Sequence, residues 1–285
     1  MNYYLKNNRL ELVIDSFGAQ ITSVKLDGIE KLWQNDNGSW EGHAPLLFPV
    51  CGHCNIVLNG KNYNTPAHGF ALNKEFNFLN QTENSISFFI TSDESTKEIY
   101  PFDFKYVMTY KIEEEKLSII HEVENPTNDN IFFATGGHET FAIKNKLQRY
   151  GVEFETEEQP VWYKEKGIYV SPAKKPYKLE NGKWLRFPHR YISGVRTLIF
   201  GNIKSNKLWL KNLNGQVLAE VGFDGFDNVL FWRSKKAKMI CIEPWTNLPD
   251  GFDVMTEVSK KYGFRKVEPK KSLKIERYIK YYNEI

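Results

Sequence analysis

The segment Phe104-Lys105-Tyr106-Val107-Met108-Thr109-Tyr110-Lys111-Ile112-Glu113-Glu114-Glu115-Lys116-Leu117-Ser118-Ile119-Ile120-His121-Glu122-Val123 holds two apolar-rich runs. They are Phe104 to Ile112 and Leu117 to Val123, joined by the acidic turn Glu113-Glu114-Glu115. Alternation at period two, carried by Tyr, Val, Ile and Thr, suits a pleated strand with one buried face and not the 3.6-residue stripe of a helix. The pair therefore reads as two successive strands. Towards the N-terminus the same signal recurs in Leu10 to Ile14, Ala19 to Leu26, Glu30 to Trp33 after an Asp27-Gly28 turn, and Ser85 to Thr91. Asn55 to Leu58 and Lys61 to Tyr63 flank Asn59-Gly60, the strongest hairpin signal in the chain. Towards the C-terminus follow Ile131 to Thr135, Gly151 to Glu155, Thr197 to Phe200, Lys207 to Lys211, Gln216 to Val221, Val229 to Trp232, Met239 to Glu243 and Leu273 to Ile279.

Helical periodicity is confined to Asp253 to Lys261 and a turn at Ser95 to Tyr100. Many short strands separated by turns predict an all-β protein built as an antiparallel sandwich or barrel. No Gly/Ser/Pro linker and no internal repeat divides the 285 residues, so residues 1–285 are read as one domain. The proline-bearing stretch Ser171 to Tyr191 reads as a long irregular excursion of the kind that walls a site.

A hydrophobic fraction of 41% is enough for a core, and a charged fraction of 26% is ordinary for a soluble protein. The formal charge of +3 is small and spread along the chain. Lys235, Lys236 and Lys238, and the C-terminal run from Lys260 to Lys271, read as solvated faces, so no nucleic-acid partner is expected. No apolar run is long enough for a bilayer, and Met1 to Arg9 lacks the apolar core and cleavage site of a signal peptide. Three cysteines cannot complete a disulfide framework. The expectation is a cytoplasmic protein, monomer or homodimer, with no membrane partner. Aromatic residues make up 15% of the chain; they favour strands, and they also line sugar sites by stacking on the C–H face of a pyranose.

Cys51-Gly52-His53-Cys54 has the spacing of a redox or metal motif. Leu46 to Val50 precedes it and an Asn-Gly hairpin follows, so the strand-then-helix context that lowers a thiol pKa is missing. One C-x-x-C without a second ligand pair does not make a zinc site, and no metal is expected. Gly136-Gly137 has no following Lys-Ser/Thr or helix, and no G-x-S-x-G elbow occurs, which excludes a P-loop and that hydrolase motif.

The chemistry-bearing residues that remain are His68 in Pro66-Ala67-His68-Gly69-Phe70, His138 in Thr135-Gly136-Gly137-His138-Glu139, and Glu243 in Ile240-Cys241-Ile242-Glu243-Pro244-Trp245. Glycines permit close approach, and large apolar neighbours exclude water. Glu243 is the sharpest of the three, because a carboxylate ending an apolar strand is desolvated and its pKa rises towards a useful general-base value. Pro244-Trp245 is expected to terminate that strand. A buried ion pair with Lys or Arg is the structural alternative.

Together with Gly18-Ala19-Gln20-Ile21, Ala44-Pro45-Leu46-Leu47-Phe48-Pro49, Tyr100-Pro101-Phe102-Asp103-Phe104 and Asn125-Pro126, these segments make the chain resemble the aldose 1-epimerase (galactose mutarotase) family and its bacterial LacX-like branch. The resemblance covers nearly the whole chain. It implies a large antiparallel β-sandwich with a sugar cleft on a concave face, anomer interconversion of a free hexose, and no cofactor. It further implies Glu243 as the base that takes the C1-hydroxyl proton, His138 as the acid that protonates the ring oxygen, and His68 as a second histidine that hydrogen-bonds at the same place. Phe70, Trp232 and Trp245 are the implied stacking surfaces.

Several positions depart from the family pattern. His53 stands where an arginine is usual in F-P-x-x-G-R, Leu72 replaces the arginine of H-G-F-A-R, and Glu139 replaces the proline of G-G-H-P. Arg196 aligns with an aspartate that contacts sugar hydroxyls, with Asp224 or Asp227 as alternative acceptors. Loss of both arginines argues against a sugar-phosphate substrate, because a bidentate grip on the dianion is gone. A non-catalytic sugar-binding protein and a hexose-6-phosphate mutarotase are the rival readings.

Overall fold

The computed structural model describes residues 1–187, 192, 196–251 and 255–284, with only the backbone described at Pro172. The hairpin pattern read first is present: Lys105–Glu113 and Lys116–Glu124 pair antiparallel from Lys105 opposite Glu124 to Glu113 opposite Lys116. The turn is tighter than the acidic run suggested, with Glu114 in the left-handed region at φ 52°. Tyr106, Met108, Tyr110 and Ile112 point inward from one strand, and Leu117, Ile119, His121 and Val123 from the other.

This hairpin lies within a nine-stranded antiparallel sheet ordered Trp184–Arg186, Tyr150–Phe154, Lys207–Asn212, Val217–Gly222, Ser272–Tyr281, Lys116–Glu124, Lys105–Glu113, Ser85–Thr91 and Asn77–Gln81. A second, eight-stranded sheet runs Tyr169–Pro176, Val161–Lys166, Leu198–Gly201, Asn228–Trp232, Met239–Trp245, Gly136–Gly137 and Leu46–Leu47, with Glu139–Ala142 also paired to Met239–Trp245. The two large sheets share one apolar core: Leu198, Phe200, Val229, Phe231, Ile240 and Ile242 of the second meet Tyr106, Ile119, Leu208 and Ile279 of the first. Burial of this many large side chains, each contributing about 1.5–3 kcal/mol, is the dominant stabilising effect. Among the described residues no helix is long and apolar enough to cross a membrane.

Alternation gives the second sheet a distinct outward face. With Ile240 and Ile242 turned inward, Cys241, Glu243 and Trp245 must turn outward, together with Leu230 and Trp232 across the ladder. That outward face carries two small apolar clusters of its own, one around Leu47, Ile199, Leu230 and Trp245, the other around Trp33, Met239 and Cys241.

Several sequence expectations are corrected. The Asn59-Gly60 hairpin forms, with both turn residues at positive φ, but its strands make a separate two-stranded ribbon. Ser171 to Tyr191 is not an irregular excursion as far as it is described: Tyr169–Pro176 pairs with Val161–Lys166, and Trp184–Arg186 edges the large sheet. Residues 188–191 lie outside the described residues, as do Asp253 and Val254 of the expected helix, whose described remainder holds only a 3-10 turn at Val258–Lys260. The expected turn near Ser95 is an α-helical turn, Glu94–Lys97, held by a capping box on Asp93. The strand Met239–Trp245 continues through Pro244, which is tolerated because the neighbouring ladder is interrupted beside it, between Gly137 and Glu139.

Candidate active site

Register brings Glu243 and His138 together. Gly136 pairs with Trp245 and Glu139 with Ile242, and continuing that register sets His138 directly opposite Glu243. Opposed residues share a face, and His138 Nε2 lies 3.4 Å from Glu243 Oε2. Close approach depends on the two preceding glycines. A Cβ on Gly136 would sit 2.7 Å from Trp245 Cδ1, and one on Gly137 would sit 2.3 Å from the Arg277 guanidinium carbon.

Glu243 is 1% exposed and its Oε1 has no hydrogen-bond partner. Burial pushes its carboxyl well above the ordinary range, and the carboxylates of Glu139 and Glu165 push it further. His138 is pushed well below the ordinary imidazole range by burial, with His68 adding to the shift. Burial therefore disfavours both charged forms, the carboxylate and the imidazolium. The imidazole is held by aromatic packing: Trp40 stacks on it at 5.1 Å and Trp232 meets it edge-on at 5.7 Å.

His68 reaches the same place from a strained turn. It has φ 65°, followed by Gly69 at φ 76°, where a Cβ would lie 2.0 Å from the Phe48 carbonyl oxygen. The Gly52 N–H donates to His68 Nδ1 at 3.1 Å, and the His68 N–H donates to the Gly52 carbonyl at 3.0 Å. Burial, helped by His53, lowers the His68 imidazole to about 4. A neutral His68 that accepts at Nδ1 carries its proton on Nε2, so it offers a donor. Its ring lies 5.7 Å from His138 and 5.3 Å from Trp245, edge-on to both.

These side chains line an open cleft of about 460 Å³, a size suited to a small ligand. His53, His68, His138, Trp232, Glu243 and Trp245 all line it. Phe70 does not: its backbone is tied to the Phe48 carbonyl, and its ring packs into the core against Phe48 and Phe104, leaving Leu72 at the cleft. Asp227 is not in the cleft either, since Arg265 takes its Oδ2 at 2.5 Å. Arg196 is exposed and borders the lining residue Thr197. Trp40 and Glu165 line the cleft and were missed from sequence. An aromatic stranded in the polar run Asn35 to Ser39 was a usable signal for Trp40; no local signal marked Glu165.

The thiols of the C-G-H-C segment are unsuited to redox work. Cys51 and Cys54 are buried, and burial raises both, Cys54 to about 12.

A family model described as aldose 1-epimerase matches residues 1–219, ending before the strand that carries Glu243. Protein LacX (chromosomal) of Lactococcus lactis subsp. lactis is 29% identical over 266 residues, covering 87% of this chain and 88% of the relative. A galactose mutarotase related enzyme from Lactobacillus acidophilus is 26% identical with a TM-score of 0.89, covering 99% of this chain and 98% of its own. A galactose mutarotase-like protein from Lactobacillus casei, 22% identical, superposes with a TM-score of 0.91 over 99% of this chain and 100% of its own and shares the fold.

Proposed function

The chain belongs to the aldose 1-epimerase family, and from that premise we propose that it interconverts the α and β anomers of a free hexose. The observation that carries the reading is the register-opposed pair Glu243 and His138, 3.4 Å apart at the floor of an open cleft. In the proposed reaction the Glu243 carboxylate takes the proton from the C1 hydroxyl. The C1–O1 bond becomes a carbonyl as the C1–O5 bond breaks, and His138 gives its proton to O5. Rotation about C1–C2 exposes the other face, and the same steps in reverse close the ring as the second anomer. One proton serves the pair throughout: opening converts a carboxylate–imidazolium pair into the neutral pair that burial favours. His68, holding a donor on Nε2, assists by hydrogen-bonding an oxygen at the reacting carbon. Trp232, Trp245 and Trp40 supply apolar ring faces for the sugar's C–H groups.

Polarimetry of freshly dissolved α-D-glucose and α-D-galactose tests this. Accelerated relaxation to the equilibrium rotation, abolished by Glu243→Gln, is the expected result. Sugar binding without acceleration would replace the enzyme with a carbohydrate-binding protein on the same fold.

A further inference from the structure

Neither the exposed Asp224 nor Asp227 lies in the cleft, and Arg196 is not among its lining residues. Among the described residues that line the cleft there is one carboxylate besides Glu243. Glu165 sits on Val161–Lys166, whose pairing with Tyr169–Pro176 shifts register between Tyr163 and Glu165. A bulge of this kind re-aims a side chain, and here the Glu165 carboxylate lines the cleft beside the hairpin tip Gly167, Ile168 and Tyr169. The backbone N–H of Thr197 donates to its Oε2 at 2.6 Å, which fixes the carboxylate. The Thr197 side chain adds a second hydrogen bond to the same carboxylate. No lysine or arginine is among the described residues that line the cleft.

On the mutarotase reading above, we propose that Glu165 is the specificity-determining residue of this cleft. Its carboxylate, aimed into the cleft, accepts hydrogen bonds from sugar hydroxyls remote from C1, and its charge, in a lining without a lysine or arginine, disfavours anionic sugars. An anionic sugar, phosphorylated or oxidised to a uronate, would bring its charge towards Glu165 and Glu243, while Arg196, whose charge acts on Glu165, is exposed and outside the lining. Burial raises the Glu165 carboxyl, opposed by the Thr197 N–H and by the charge of Arg196, so a donor hydroxyl from the sugar completes its solvation.

The test compares wild type, Glu165→Gln and Glu165→Ala by polarimetry on glucose, galactose and monodeoxy analogues lacking one hydroxyl at a time. Loss of a charged acceptor is expected to raise KM about 10- to 100-fold in Glu165→Ala, with kcat changed less than about threefold and Glu165→Gln intermediate. For the deoxy sugar that lacks the recognised hydroxyl, wild type and variant should converge. Glucose 6-phosphate should be poor for wild type and relatively better for Glu165→Gln. Unchanged KM in both variants, or no deoxy sugar at which the enzymes converge, would overturn the assignment, as would ready turnover of the phosphate by wild type. Calorimetric binding of the same sugars separates the two claims. A wild type that binds but does not accelerate mutarotation would sink the enzyme reading, while weaker binding by Glu165→Ala would still uphold Glu165.

Discussion

Replacing Arg277 with Met should damage this protein more than any surface change, and replacing Arg277 and Glu139 together should not. Arg277 and Glu139 are each 2% exposed, with Nη2 and Oε1 2.6 Å apart across the two sheets. Arg277 Nε also donates to His121 Nε2 at 3.2 Å, and His121 Nδ1 contacts Tyr106 and Thr135. Removing the cation leaves a carboxylate buried without compensation, a loss of about 3–5 kcal/mol. At roughly 2–4 °C per kcal/mol for a chain approaching this size, Tm should fall by about 6–20 °C. Glu139 Oε2 has no hydrogen-bond partner, so the pair is incompletely satisfied. Arg277→Met with Glu139→Leu should therefore recover most of the stability. The guanidinium also lies directly beneath Gly137, next to His138. The single variant should thus lose turnover even at temperatures where it stays folded. Urea unfolding followed by tryptophan fluorescence gives the double-mutant cycle. A single variant within 1 kcal/mol of wild type would refute the reasoning, as would a double variant as unstable as the sum of its parts.

Glu243→Gln should lower kcat by at least about 10³-fold while circular dichroism stays native; retained activity would remove Glu243 as the base. The pH–rate profile should be a bell whose active form carries one proton on the Glu243–His138 pair. Burial, Glu139 and Glu165 raise the carboxyl while burial and His68 lower the imidazole, so the doubly protonated pair forms only at low pH. The acid limb should accordingly fall below the ordinary imidazole range, and an acid limb near pH 7 would contradict a His138 imidazole lowered by burial. Cys51→Ser with Cys54→Ser should leave turnover within about twofold, and the native thiols should resist alkylation at pH 8 until the protein unfolds; rapid labelling would show a reactive thiolate.

Strands were legible in the sequence because alternation is a local record of one buried face, as in Lys105–Glu113 and Ser85–Thr91. Strand pairing across long separations was not. Nothing near His138 announces that Glu243, over a hundred residues on, will stand opposite it; the family resemblance joined them, and register explains the contact. Phe70 was misread because H-G-F suggests a continuous site segment, whereas the positive φ of His68 and Gly69 turns the chain and sends the phenyl ring inward. Asp227 was named as an acceptor without knowledge that Arg265 occupies it. Glu165 escaped because its orientation follows from a bulge and its anchor from a distant backbone N–H. These are tertiary facts written in no single window of sequence.

The central claim, that Glu243 and His138 exchange sugar anomers, is tested most directly at equilibrium by proton exchange spectroscopy on the anomeric signals of glucose and galactose. Wild type is expected to give exchange cross-peaks between the α and β H1 resonances, and Glu243→Gln none. Cross-peaks that persist in Glu243→Gln, or their absence with wild type for both sugars, would contradict it.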